Sequence, residues 1–274
     1  MKILVADPAG NITVFVLDPV GSSAERIALA RAILAKKSSG GRSPEQVGFV
    51  IPPGASMTGS DPVLWRLEMM GGEFCGNAAR SFGLYVARKE GLKGKVNVLV
   101  SVSGMDEPVR VDVDITDSRA AAEMPKPIIV EALDYEGRSL PVIVFEGITH
   151  VIAPDLEADR DVFFAIKTMI EKKFSSPATG VMFYNTASRF MRPAVYVQST
   201  DTLVFESSCG SGSAALGVWL SREQREGSFS CAATQPGGVI ETELTKRAGE
   251  ISCISIGGKV RLDEPEEFSW PICE

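Results

Sequence analysis

Short apolar runs and one longer helical pattern alternate along the first fifty residues of the chain. The runs at residues 3–5 and 12–17 are rich in branched side chains and predict two strands. Ser22 and Glu25 then form a capping-box pattern, which predicts the start of a helix. A further strand is expected at residues 47–51. The helix carries an apolar stripe and ends in a basic pair and a glycine pair: Ile27, Ala30, Ile33 and Leu34, then Lys36, Lys37, Gly40 and Gly41.

The same order of patterns returns halfway along the chain. Residues 75–88 align without a gap with residues 209–222, at an offset of 209 − 75 = 134. Both segments begin with Cys-Gly, and the same offset carries Gly104 onto Gly238. The first-half strands and helix have counterparts at 142–145, 150–153, 161–174 and 181–184.

This repeat predicts an α+β fold made of two pseudo-symmetric lobes, each with a sheet wrapped around a central helix. We expect an N-terminal lobe at residues 1–125 and a C-terminal lobe at residues 126–263. A C-terminal strand near residues 264–274 is expected to complete the first lobe.

Each cysteine segment has the pattern of a helix start. Apolar positions recur at helical spacing after Cys75 until Gly91, and the second copy, which begins at Cys209, is expected to end near Gly227. A helix start leaves backbone N–H groups unpaired and concentrates positive potential, which favours anions and lowers the pKa of a nearby thiol. Each segment therefore predicts a reactive sulfur beside a cradle for an oxyanion.

Two such sulfurs suit proton transfer at a carbon acid. If the lobes face each other, a thiolate on one side of the cleft removes an α-proton while a thiol on the other side returns one, which is racemisation or epimerisation. Backbone donors would stabilise the developing enediolate. Neither segment contains a lysine that could hold an aldehyde, so we expect no cofactor.

Other cysteine chemistries fit the pattern less well. Cys75 and Arg80 are one residue too close for a phosphatase loop, and a Cys/His protease would have to use His150 and leave one cysteine idle. A member of the fold without catalysis, which binds a ligand or senses redox state, is the alternative from another class.

Composition excludes several other functions. The chain has 274 residues and a net charge of 28 − 35 = −7, the wrong sign for a partner rich in phosphates, so no nucleic acid is expected. The N-terminal apolar run is shorter than a signal peptide requires and no later run could span a bilayer, which predicts a cytoplasmic protein without a membrane partner. Five widely spaced cysteines are expected to be thiols, and a single histidine without a Cys-x-x-Cys pair predicts no metal site.

Four motifs resemble the diaminopimelate epimerase family of cofactor-independent racemases. They are residues 72–78 (Gly-Glu-Phe-Cys-Gly-Asn-Ala), 208–212 (Ser-Cys-Gly-Ser-Gly), 235–238 (Gln-Pro-Gly-Gly) and 10–11 (Gly-Asn). The resemblance implies a homodimer that acts on a small amino acid, with Cys75 and Cys209 as the acid/base pair. It also implies that the amides around Gly76, Asn77, Gly210 and Ser211 hold the α-carboxylate.

The chain departs from that family where the distal end of diaminopimelate is bound. The Glu-Arg-Gly run before the second cysteine is replaced by Thr-Asp-Thr at residues 200–202, and Gly-Asn-Pro-His becomes Gly-Ile-Thr-His at residues 147–150. With these replacements the chain is more similar to the branch of histidine racemases that serve opine-type metallophore synthesis than to diaminopimelate epimerases.

This branch resemblance implies histidine as the substrate. It adds Asn11, Glu45, Gln46, His150 and Glu206 as substrate-binding residues, since acidic groups suit an imidazole or a cationic side chain. Diaminopimelate and other basic amino acids remain alternative substrates.

Overall fold

The fold is described from a computed structural model, which places residues 1–36, 43–54 and 64–270. Three positions named above lie outside the described residues, namely Lys37, Gly40 and Gly41, and so does Cys273, one of the five cysteines. The last residues of the expected C-terminal strand, 271–274, lie outside them too.

The chain contains many strands and four α-helices among the described residues. The first part contains β1 (Lys2–Asp7), β2 (Thr13–Val16), α1 (Ser23–Ala35), β3 (Gln46–Ile51), β4 (Arg66–Met69), α2 (Gly76–Lys89), β5 (Lys95–Val102), β6 (Val109–Asp114) and β7 (Arg119–Glu123). The middle part contains β8 (Ile129–Tyr135), β9 (Arg138–Phe145), β10 (Ile148–Pro154), α3 (Arg160–Glu171), β11 (Ala178–Asn185), β12 (Phe190–Val197), β13 (Thr202–Phe205) and α4 (Gly210–Leu220). The chain continues with β14 (Gly227–Gln235), β15 (Gly238–Arg247), β16 (Glu250–Lys259), β17 (Arg261–Leu262) and β18 (Glu266–Glu267).

The chain divides into two compact units. Unit 1 comprises Met1–Ala122 together with Gly257–Glu274, and unit 2 comprises Glu123–Ile256. The end of the chain belongs to unit 1 because β17 and β18 both pair antiparallel with β1.

Unit 1 buries α2 almost completely. Every residue from 76 to 87 is buried, so the apolar stripe expected from the sequence is wider than one helix face. Successive residues of β2 point to opposite sides, so that Phe15 packs with the α2 cluster while Val14 and Val16 pack with α1. Burial on both faces explains why β2 is apolar from Val14 to Val16.

The start of α1 follows the sequence prediction. The Ser22 side chain accepts the Glu25 backbone N–H and the Glu25 side chain accepts the Ser22 N–H, which is the reciprocal bonding of a capping box. The expected strands at both ends of α1 are also present as β2 and β3.

Unit 2 packs α3 and α4 against its strands. Within it β10 pairs parallel with β11, β11 pairs antiparallel with β12, and β14 forms a hairpin with β15. Phe163, Ile166 and Ile170 of α3 are buried against residues of β9, β10 and β11. α4 is buried along most of its length and contacts the β14–β15 hairpin.

The expected end of α4 was wrong. The helix ends at Leu220 with Ser221 as its C-cap, and Gly227 instead begins β14. The Lys246 ammonium from β15 donates to the Ser221 carbonyl at 2.7 Å, and the Ser221 hydroxyl donates to the Val218 carbonyl, so distant and local groups together terminate the helix. By contrast α2 ends at Lys89, and Gly91 follows with a φ of +67°, as expected.

Among the residues placed by the structure, no helix is long and apolar enough to cross a membrane.

Candidate active site

Cys75 is the N-cap residue of α2, as the sequence predicts. Its sulfur accepts the backbone N–H of Ala78 at 3.4 Å, in the place where a serine or aspartate oxygen usually caps a helix. Cys75 is only partly buried. The sulfur is therefore both held by the helix start and open to a ligand.

One predicted binding residue of unit 1, Asn11, lies next to this sulfur, and a second, Glu45, is hydrogen-bonded to Asn11. The Cys75 thiol points to Asn11 Oδ1 at 3.9 Å, and Asn11 Nδ2 donates to Glu45 Oε2 at 2.7 Å. Gln46 follows at the start of β3, and its buried Oε1 lacks a hydrogen-bond partner among the described residues. The Asn11 amide therefore stands between the Cys75 thiol and the Glu45 carboxylate and is hydrogen-bonded to both.

Gly76 and Asn77 are the first two residues of α2, where backbone N–H groups have no carbonyl of the same helix to bind. The Asn77 side chain is directed elsewhere, because its Oδ1 accepts from Arg80 Nε at 3.1 Å. The Arg80 guanidinium also donates to the carbonyls of Pro8 and Lys259 and is completely buried. The side-chain oxygen of Asn77 is therefore used within unit 1, and Arg80 is a structural cation.

Cys209 is the N-cap residue of α4. Its sulfur accepts the Gly212 N–H at 3.3 Å and lies 3.5 Å from Ser211 Oγ. Glycine at position 212 leaves room for two side chains, since an added Cβ would meet the sulfurs of Met182 and Cys209. Gly210 and Ser211 occupy the first turn, as Gly76 and Asn77 do in α2.

The electrostatics of Cys209 contradict the lowered thiol pKa expected from the helix start. Burial first, and then the nearby Glu206 carboxylate, raise the pKa of Cys209 well above its ordinary value. Hydrogen bonds from Ser211 and Gly212 act in the opposite direction but are outweighed. Cys209 is thus a thiol in the resting protein, and Glu206 accepts a hydrogen bond from it.

His150 belongs to the Cys209 site. Its Nε2 shares a hydrogen bond of 2.9 Å with Ser211 Oγ, while Nδ1 is buried and without a partner in the part of the chain that the structure describes. Burial lowers the pKa of His150 to about 3, so the imidazole is neutral. The ring has no exposed surface, and its hydrogen bond holds it against Ser211, whose hydroxyl lies beside the Cys209 sulfur.

Gly180 provides the space for this imidazole. A Cβ at Gly180 would lie 2.3 Å from His150 Nδ1. We expect Gly180→Ala to displace the ring and break its bond to Ser211. The chain has one histidine, so ring nitrogen shifts in NMR spectra of the untagged protein report this residue alone.

The wild-type ring is expected to show no titration between about pH 5 and 8, and Gly180→Ala to shift its signals. Gly48→Ala is the matched control, because its Cβ would meet Leu67 in unit 1 and not the imidazole. A wild-type ring that titrates near its ordinary pKa would contradict this description of the site.

The sequence motif at residues 235–238 contains one residue that we did not predict to belong to the site. Gln235 accepts the Cys209 backbone N–H at 2.8 Å. The signal is the motif at residues 235–238 itself, which does not indicate that Gln235 binds the backbone of Cys209. Within the described residues there is no group of three or more His, Cys, Asp or Glu side chains that could hold a metal ion.

Comparison with known proteins connects these sites to a family. The family profile described as "Histidine racemase CntK N-terminal domain" matches residues 1–264. A histidine racemase of Fusobacterium nucleatum subsp. nucleatum is 31% identical over 230 residues, covering 81% of this chain and 82% of that protein. A histidine racemase of Staphylococcus aureus is 26% identical over 242 residues, covering 85% of each chain.

Solved structures show the fold. A hydroxyproline epimerase of Agrobacterium vitis, solved with bound trans-4-hydroxy-L-proline, superposes with a TM-score of 0.62 at 12% identity, covering 97% of this chain and 91% of that one. At that identity the likeness concerns the fold alone. The resemblance identified from the sequence motifs is confirmed by the match over most of the chain, and the chain belongs to the histidine racemase family.

Proposed function

We propose that the protein is a histidine racemase that interconverts L- and D-histidine through two cysteine side chains and without a cofactor. The observation that carries this proposal is that each unit holds a cysteine as the N-cap of a buried helix, with the sulfur bound by a first-turn N–H. The family match over residues 1–264 supports histidine as the substrate.

We propose further that the two units are pseudo-symmetric lobes. Each has two antiparallel strands, a helix, a strand pair and a cysteine-capped helix in the same order. The parallel ladders support this, because β2 pairs with β3 as β10 pairs with β11. Gln46 and Gly180 differ by the repeat offset of 180 − 46 = 134, and their partners Thr13 and His150 differ by 150 − 13 = 137, a shift of three residues. The mechanism requires that both sulfurs reach opposite faces of one Cα.

The helix starts supply the electrostatic stabilisation. N–H groups of Gly76 and Asn77, and of Gly210 and Ser211, belong to the first turns of α2 and α4. In the proposal they bind the α-carboxylate and the negative charge that develops on it when the α-proton leaves. Donors that are fixed before the reaction cost no reorganisation during it.

The proton transfers balance as follows. In one direction the Cys75 thiolate takes the α-proton and becomes a thiol, and the Cys209 thiol gives its proton to the opposite face and becomes a thiolate. The raised pKa of Cys209 supports a starting state in which Cys209 carries its proton. The enzyme is then ready for the reverse reaction. The resting state returns when the Cys75 thiol gives a proton to solvent and the Cys209 thiolate takes one from solvent, which the Glu206 carboxylate favours by raising the pKa of Cys209.

The acidic groups beside each sulfur support a substrate with an imidazole or a cationic group. Glu45 is connected to Cys75 through Asn11, and Glu206 is next to Cys209. Gln46 offers a buried acceptor without a partner among the described residues. We assign the α-ammonium and imidazole N–H groups of the substrate to these acceptors.

The test is chiral chromatography of reaction mixtures with the reduced protein. L-histidine is expected to give D-histidine until the two enantiomers are equal, and meso-diaminopimelate, lysine, arginine and ornithine to react at least about tenfold more slowly, because they lack the imidazole. The control is the double variant Cys75→Ser, Cys209→Ser. Faster turnover of diaminopimelate would contradict the substrate assignment and keep the mechanism.

A further inference from the structure

The side chain of Gln235 binds the Cys209 N–H directly and is linked to the Cys209 carbonyl through the Ser213 hydroxyl. Gln235 is the last residue of β14 and only 2% exposed. Its Oε1 accepts the Cys209 N–H at 2.8 Å, and its Nε2 donates to Ser213 Oγ at 2.8 Å. The Ser213 hydroxyl donates to the Cys209 carbonyl at 2.7 Å. These bonds form a closed ring through the amide and carbonyl of one cysteine.

The β14–β15 hairpin fixes this ring in place. The Gly237 N–H donates to the Ser207 carbonyl at 2.8 Å, two residues before Cys209. From β15 the buried Thr242 hydroxyl donates to the Ser213 carbonyl at 3.0 Å. Gln235 therefore stands on a rigid element and not on a free loop.

The geometry of the sulfur depends on the backbone that this ring holds. Cys209 has φ −125° and ψ 116°, the extended conformation that lets an N-cap side chain reach back to the helix. In that conformation its sulfur receives the Gly212 N–H at 3.3 Å. A change in either dihedral would turn the sulfur away from this donor.

We infer that Gln235 is a positioning residue, which sets the orientation of the Cys209 thiol for proton transfer. This inference rests on the proposed function and adds a residue to it. Gln235 does not touch the reacting atoms and acts through the Cys209 backbone.

Unit 1 supports its own cysteine segment in another way. The Ser103 hydroxyl accepts the Met69 N–H and donates to the Glu73 carbonyl, two residues before Cys75. Gln235 makes its contacts within unit 2. Its loss is therefore expected to affect Cys209 and to leave Cys75 unchanged.

The experiment measures alkylation of the two cysteines by iodoacetamide as a function of pH, with each peptide quantified by mass spectrometry. In Gln235→Met the Cys209 rate is expected to fall about tenfold at a given pH and its profile to move to higher pH, because the thiolate loses the Gly212 donor. Gln235→Glu is expected to move the profile further, because it adds a negative charge near the sulfur. Histidine racemisation falls about 10- to 100-fold in both variants.

The matched control is Gln224→Met, which removes another glutamine of unit 2, one whose side chain donates to the backbone carbonyls of Glu226 and Ser228. It is expected to change neither alkylation profile. An unchanged Cys209 profile in Gln235→Met would overturn the inference, and so would equal changes at Cys75 and Cys209, which indicate general loosening.

If Gln235→Met does not fold, Ser213→Ala gives the decision, since it opens the ring and leaves the bond from Cys209 N–H to Gln235 intact. In Ser213→Ala, a shift of the Cys209 alkylation profile without a shift of the Cys75 profile supports the inference. An unchanged Cys209 profile overturns it. Alkylation needs no substrate. A wild-type protein that fails to racemise histidine while Gln235→Met shifts the Cys209 profile would therefore refute the proposed function and keep the positioning role.

Discussion

Replacing either Cys75 or Cys209 by serine is expected to slow histidine racemisation about 10³-fold or more. A serine hydroxyl keeps the size and capping geometry of the cysteine, but its proton is too weakly acidic to cycle between the two states at neutral pH. Each variant lacks one of the two proton carriers. We therefore expect inversion to be lost in both directions and the melting temperature to change little.

Cys231→Ser is the matched control for these variants. Cys231 is a partly buried thiol of β14 in unit 2, and burial raises its pKa to about 11, so it is a thiol at neutral pH. Its replacement is expected to leave racemisation unchanged. Full activity in either Cys75→Ser or Cys209→Ser, measured by chiral chromatography, would contradict the two-thiol mechanism.

The second large effect is expected from Arg80→Met, which removes a completely buried guanidinium. Three acceptors, Asn77 Oδ1 and the carbonyls of Pro8 and Lys259, would lose their donor. Since each buried unsatisfied group costs roughly 1–3 kcal/mol, the variant is expected to lose about 3 kcal/mol or more of stability. Thermal unfolding followed by calorimetry measures this loss.

Arg88→Met is the control for Arg80→Met. Arg88 lies in the last turn of α2, is exposed and donates to Ser118 Oγ. Its removal is expected to change the stability by less than about 0.5 kcal/mol. Equal melting temperatures for the two variants would contradict the stabilising role of the Arg80 hydrogen bonds.

Local signals in the sequence predicted much of the fold. Ser22 and Glu25 form the capping box, and Cys75 and Cys209 begin helices, because each of these features depends on residues within one helical turn. The predicted end of α4 was wrong, because the contact at the actual end of the helix comes from Lys246, a residue distant in the sequence.

Features of the site that depend on tertiary contacts were not predictable in the same way. A helix start alone favours a thiolate, and the raised pKa of Cys209 comes from burial and from Glu206. Arg80 is completely buried, and it is bound to carbonyls far along the chain. The Gln235 contact joins residues 26 positions apart, and periodicity gives no indication of such a pair.

The measurement that tests the central claim most directly is deuterium incorporation at Cα during racemisation of L-histidine in heavy water. Two thiols on opposite faces predict that the D-histidine formed carries deuterium while the remaining L-histidine stays unlabelled at early times, because the proton removed is not the one returned. Equal labelling of both enantiomers at early times, or D-histidine that retains the original proton, would contradict the account.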